Sequence, residues 1–260
     1  MPELPDLEVF SRNLTKVLKN KELVKVSVSV SKKLNISSTE LANALEGSKL
    51  NRVVRTGKQL RFDLNNGHSL GLHLMLHGEL HWFEKQNDHK HTILELLFEG
   101  DKGLAVTDFQ KAATPTLDPD EAEVPDALDD AVDVAFWQKT LQKSKKQVKV
   151  ILMDQKVIRG IGNAYADEIL YDAGISPFAA ANTIPDRYIK ELDASIKNVL
   201  NNAIKQILDK DPDIITGEVR DFLCVHRPKQ KTTPKGETIL VGESGGRKTY
   251  YTEAQKTFDQ

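Results

Sequence analysis

Cysteine is almost missing from this chain. The single thiol, Cys224, excludes an intrachain disulfide and any multi-cysteine metal cluster. Aromatic residues make up only 6% and there are two tryptophans. No apolar run approaches the roughly 20 residues that a bilayer-spanning helix requires, so no membrane partner is expected. The first ten residues, MPELPDLEVF, carry acids but no base and are not followed by an apolar leader core. A secretory signal is therefore not expected, and a reducing intracellular compartment, cytoplasm or nucleoid, is.

A large charge of either sign is also lacking, with 38 acids against 36 Lys and Arg in 260 residues. The balance conceals an uneven distribution. The segment 118–133, DPDEAEVPDALDDAVD, holds eight acids and no base. Without it the remaining body is mildly basic, which permits nucleic-acid binding without demanding it.

The chain has room for two modest domains. Phe10, Leu14, Val17 and Leu18 recur at helical spacing in LEVFSRNLTKVLKN. The period then shortens to β. VVRTGKQLRFDL alternates at Leu60, Phe62 and Leu64, and Asn65-Asn66-Gly67 supplies a turn. HSLGLHLMLHGELHW alternates at Leu70, Leu72, Leu74 and Leu76, which predicts one half-buried strand, and HTILELLFEG predicts another. An α+β organisation is expected: a β-sandwich with flanking helices over 1–116, an acidic linker over 117–131, a helical domain over 132–220 and a β-hairpin over 221–260.

KVIRGIGNAYADEIL carries the first chemical signal. Gly160 and Gly162 interrupt one helix, and Asn163 stands where the next begins. Glycine admits close approach of a backbone, and a helix N-terminus offers N–H groups to phosphate. The same pattern also describes a plain helix–helix turn with an Asn cap. Lys139, Lys143, Lys145, Lys146, Lys149, Lys156 and Arg159 against one acid, Asp154, suggest a basic surface around it.

Four segments taken in order, MPELPDLEVF, RTGKQLRFDL, QKVIRGIGNAYADEILYDAGISP and GGRKTYY, resemble the formamidopyrimidine-DNA glycosylase and endonuclease VIII family. The resemblance spans nearly the whole chain. It implies a β-sandwich, a helix-two-turn-helix domain and a terminal hairpin finger. It also implies excision of oxidised bases from double-stranded DNA with cleavage at the abasic site, by a monomer without a cofactor. In this reading Pro2, freed of Met1, is the nucleophile and Glu3 the general acid and base. An α-amino group titrates at about 8, so part of it is free amine at neutral pH. Lys58 contacts the backbone beside the lesion, Arg247 binds flanking phosphates and promotes the second elimination, and Asn163, with Gly162 and Lys156, clamps phosphate. Without the resemblance, PELP would simply start a helix, with Pro5 near its first turn and Asp6 and Glu8 favouring its dipole.

The chain departs from the family pattern at three places. The finger's four zinc-binding cysteines are replaced by Thr232, Lys235, Thr252 and Gln255. No metal is expected there, since Cys224 and His226 are too few for a structural site. Packing by Ile239, Leu240, Tyr250 and Tyr251 is expected to hold the hairpin instead. The long lesion-capping loop of the oxidised-guanine enzymes is short or missing in RDFLCVHRPKQK, as in endonuclease VIII-like enzymes that favour oxidised pyrimidines. In the intercalation loop, TDFQKAA puts Gln110 where an arginine reads the orphaned base and Ala112 where a phenylalanine wedges. Phe109 is a displaced wedge and Lys111 a phosphate contact in this reading, and the void-filling methionine falls on Leu76, beside Met75. These changes leave open a second reading, a non-catalytic binder of damaged or bent DNA. A third, an RNA-binding helical module, leaves PELP unexplained.

Overall fold

The computed structural model describes Met1–Phe258 and divides into two compact units. The first comprises Met1–Glu121 with Ile207–Glu218. Its opening helix α1, Leu4–Leu18, has prolines at its first positions and buries Leu7, Phe10, Leu14 and Leu18 along one side. The other side carries Glu8 and Arg12, paired one turn apart. Two four-stranded antiparallel sheets follow. One has the order β1 (Leu23–Val28), β6 (Thr92–Phe98), β7 (Lys102–Thr107), β5 (Glu79–Glu84). The other has β2 (Leu50–Thr56), β3 (Gln59–Leu64), β4 (Ser69–His73), β8 (Thr114–Leu117). Both inner faces and α1 share one apolar core, in which Val26, Leu80, Leu94 and Leu104 meet Val53, Leu60, Phe62 and Leu72. This is the expected sandwich. The short helix α2, Ser38–Leu45, contributes Leu41 and Leu45 to that core.

The predicted long strand through Leu76 does not form. β4 ends at His73, and Leu74–Gly78 closes a turn in which Gly78 N–H donates to Leu74 O at 2.8 Å. A side chain at Gly78 would place Cβ 2.3 Å from that carbonyl, and Met75 adopts a left-handed φ of 56°. The leucine alternation therefore loses its meaning after Leu74. Leu74 is buried, whereas Leu76 is 57% exposed.

The second unit comprises Ala122–Gln206 and the chain from Val219. It holds α3 (Val134–Leu141), α4 (Val148–Met153), α5 (Asn163–Asp172) and the long α6 (Asp186–Lys210), whose last turn falls in the first unit. All four lie within the stretch 132–220 where a helical domain is expected. A hairpin of β9 (Leu240–Ser244) and β10 (Arg247–Tyr251) completes it. The acidic stretch is not an extended tether throughout. Ala127 and Val132 are fully buried, and the backbone on either side of Asp126 pairs with that of Arg159, Ala127 N–H donating to Arg159 O at 2.9 Å. Arg159 Nε donates to Val124 O at 2.6 Å, so one of the bases expected on the phosphate-facing surface is engaged with this segment.

Candidate DNA-processing site

Pro2 and Glu3 are both buried at the head of α1. Glu3 is the N-cap, and its backbone N–H donates to Asp6 Oδ2 at 2.8 Å in a reciprocal capping box. The cap holds the first residues in one geometry, where termini ordinarily fray. The Met1 ammonium lies 2.5 Å from Glu218 Oε1. PELP starts a helix, as expected, with Pro5 inside its first turn and Glu3 at its N-cap.

Lys58 stands on the tight turn between β2 and β3, where Gly57 takes a φ of 61°. Its charge reaches His73 at the end of β4. Burial first, and the Lys58 ammonium second, hold the His73 imidazole below its ordinary 6.5. His73 Nδ1 accepts the N–H of Met75 at 3.0 Å, which fixes the turn that presents Met75 and Leu76 to solvent.

A second apolar tip stands on the segment after β7. Asp108 is 1% exposed, and its carboxylate accepts the N–H groups of Gln110, Ala112 and Ala113, each at 2.8 Å. Wrapping the backbone around this buried anion turns Phe109, Gln110 and Lys111 outward, with Lys111 at a φ of 55°. Phe109 is 58% exposed and its ring lies 4.6 Å from that of His77. Nearby is a cavity of about 230 Å³ lined by His77, His81, His89 and His91 with Glu79 and Asp108. His89 stacks on His81 at 4.5 Å, and burial followed by that neighbour depresses the His81 imidazole.

In the second unit, the turn before α5 folds around the Gln155 amide, which accepts from Gly160 N and donates to the carbonyls of Met153 and Ile161. Gly160 sits at a φ of 104°, a conformation that favours glycine. Buried Gly162 caps α5, and Asn163 occupies its first turn. One hydrogen of the Asn163 amide goes to Lys248 O at 3.0 Å, and its Oδ1 has no hydrogen-bond partner among the described residues. Lys156 is exposed as expected. Lys149 is not: it is fully buried, with Nζ 2.7 Å from Asp167 Oδ1, and does not belong to the basic surface.

Arg247 opens β10 directly after Gly245 and Gly246, which take φ of 57° and 71°, the two left-handed positions of a type I′ hairpin turn. The residues at the zinc positions make hydrogen bonds unlike those of a metal cage. Gln255 Oε1 accepts from Thr252 N, and its Nε2 donates to Ile175 O, each at 2.8 Å. No group of three or more His, Cys, Asp or Glu placed to hold a metal exists among the described residues. Thr232, Lys235, Thr252 and Gln255 offer neither thiolate nor imidazole, the ligands that a structural zinc ion takes. Ile239 and Tyr250 pack with Val225, a partner that sequence reasoning missed, and Tyr251 stacks edge-on with Phe178 at 4.9 Å.

A β-sandwich unit opening on a capped helix, and a second unit of four helices with a β-hairpin, form the two-part architecture that the resemblance implies. Residues 1–114 match the formamidopyrimidine-DNA glycosylase N-terminal domain and residues 124–211 the formamidopyrimidine-DNA glycosylase H2TH domain. The chain is 30% identical to the formamidopyrimidine-DNA glycosylase of Carboxydothermus hydrogenoformans, over 96% of this chain and 98% of that protein. It is 31% identical to the enzyme of Mycoplasma genitalium, over 96% and 94%. Among solved structures, it resembles the Lactococcus lactis Fpg (MutM) bound to oxidised-pyrimidine DNA, with a TM-score of 0.87 and 26% identity over 98% of this chain and all of that one. MutM in complex with DNA containing carbocyclic 8-oxo-G gives a TM-score of 0.88, again at 26% identity and with the same coverage. The chain belongs to the formamidopyrimidine-DNA glycosylase family.

Proposed function

We propose that this protein is a base-excision-repair glycosylase with abasic-site lyase activity, acting through Pro2 as a Schiff-base nucleophile on double-stranded DNA. The observation that carries the reading is the buried Pro2–Glu3 pair, held by the capping box of α1, in a chain of this family. Removal of Met1 leaves Pro2 with a secondary amine. Its lone pair bonds to the deoxyribose C1′ as the bond to the base breaks, and the base departs with the electron pair and a proton. Glu3 supplies a proton to the leaving base or the sugar oxygen. Ring opening gives a cationic iminium, which acidifies the C2′ proton. Loss of that proton expels the 3′ phosphate, and a second elimination expels the 5′ phosphate. Hydrolysis then returns the free proline amine.

Asn163, Gly162 and Lys156 hold phosphate at the head of α5, where one amide hydrogen of Asn163 remains beyond the one given to Lys248. Lys58 and Arg247 complete the backbone contacts. Met75, Leu76 and Phe109 are exposed apolar tips suited to fill the gap left when a damaged nucleotide leaves the stack.

Borohydride reduction tests the covalent step. A protein with a verified free Pro2 becomes crosslinked to duplex containing an abasic site, and Pro2→Gly does not. No crosslink from the processed protein overturns the mechanism. The altered Phe109–Ala113 segment motivates a second reading, a non-catalytic binder of lesion DNA. Tight binding to lesion duplexes without strand cleavage selects it.

A further inference from the structure

The hairpin segment 231–260 contains no cysteine, so contacts of other kinds must fix Arg247 and Lys248 relative to α5. The candidates lie on one face of that helix: Asn163, Asp167, Glu168 and Tyr171, spaced by four, one and three residues. Each engages the chain beyond Val219. Asn163 holds Lys248 O at 3.0 Å. Asp167 Oδ2 accepts the N–H of Tyr250 at 3.1 Å and lies 2.7 Å from His226 Nδ1, while its Oδ1 lies 2.7 Å from Lys149 Nζ. Lys149 donates in turn to Thr249 Oγ1 at 2.8 Å and to Lys248 O at 3.5 Å. Glu168 accepts three consecutive backbone N–H groups, from Cys224, Val225 and His226, at 2.7, 2.8 and 2.7 Å. Tyr171 Oη donates to Glu237, and Thr233 donates to the same carboxylate.

We infer that this α5 face, centred on the Lys149–Asp167–His226 cluster, is the metal-free anchor that positions Arg247 and Lys248 for DNA phosphate. The inference rests on the function proposed above. Asp167 and Glu168 divide the work. One carboxylate gathers side chains and a β10 amide, and the other gathers the backbone leading to the hairpin. Lys149 and Asp167 are fully buried, so their pairing persists in salt that would screen a surface bridge. The carbonyl of Lys248 is gripped from two sides, by Asn163 and by Lys149, on the residue next to Arg247. Loosening the cluster frees that carbonyl and with it the direction of the Arg247 side chain. Lys149, Asp167 and His226 are thus positioning residues.

Two readouts on the full-length protein test this. Amide exchange at residues 247–251 reports the hairpin without any DNA. Steady-state cleavage of an abasic duplex separates KM from kcat. Asp167→Asn and the double variant Asp167→Asn/Lys149→Met are expected to exchange faster at 247–251. They should raise KM about tenfold or more, with kcat within about threefold, because a displaced contact weakens binding. The double variant leaves no lone buried charge and guards against simple unfolding. His226→Ala should follow, and His226→Gln should recover part of the loss. A chelator should leave wild-type exchange unchanged. Wild-type protection and KM in both Asp167 variants overturn the inference, as does loosening of the wild-type hairpin by chelator. Because exchange is measured without substrate, it stands or falls apart from the lyase reading.

Discussion

The backbone N–H of Met75 donates to Nδ1 of His73 at 3.0 Å. That bond needs an unprotonated Nδ1, and the burial and Lys58 charge that lower the His73 pKa favour the same neutral state. The unfolded imidazole, at its ordinary 6.5, takes up a proton before the folded one does. The associated stability is present above 6.5 and is lost as pH falls through the folded value. Thermal unfolding followed from pH 8 to pH 5 should therefore lose more stability in wild type than in His73→Ala. Equal slopes would show that His73 does not latch the turn.

The proposed mechanism gives Glu3 a second duty beside its capping box, and one substitution separates the two. Glu3→Gln keeps a side-chain acceptor for the capping box, so Tm should move little. It removes the proton donor, so release of an oxidised base should fall by about 10²-fold or more. Borohydride trapping on a preformed abasic site, which needs no leaving base, should survive better. A loss of trapping equal to the loss of excision would assign Glu3 to positioning Pro2 alone.

Asp108 shows where the sequence was legible and where it was not. TDFQKAA marked the loop, and Phe109, Gln110 and Lys111 are exposed on it. Nothing in the local pattern said that the acid inside it would be buried beneath three N–H donors, because an Asp in a loop reads as a solvated turn residue. The same holds for Asp167 and Glu168: on an amphipathic helix, adjacent acids read as a polar outer face, and only the hairpin folding back converts them to anchors. The sandwich, the helical domain and the hairpin were visible because apolar periodicity records local burial. The end of β4 was missed because the leucine alternation runs on to Leu76, inside a turn that closes through Gly78. Lys149 was misread because its charge said surface, while its partner lies 18 residues on.

Substituting Asp108 tests that loop directly. Asp108→Ala leaves three N–H groups facing a buried void and should cost on the order of 3 kcal/mol in denaturant unfolding. Asp108→Asn keeps one acceptor oxygen and should cost less. If Asp108→Ala unfolds within experimental error of wild type, the loop does not depend on the carboxylate.

Phe109 and Leu76 invert the usual rule for large apolar residues. Both are more than half exposed, at 58% and 57%, so truncation removes little packing. Phe109→Ala and Leu76→Ala should each change stability by no more than about 0.5 kcal/mol. Their value should appear only against DNA, where an inserted apolar wedge offsets the cost of unstacking a base step, a few kcal/mol. Each single variant should bind an abasic duplex several-fold more weakly, and the double variant more weakly still, with undamaged duplex little affected. Measuring both duplexes at one fixed salt concentration separates this effect from phosphate contacts, which lose affinity equally on damaged and undamaged DNA. A uniform loss on both would move Phe109 and Leu76 from gap-filling to general backbone contact.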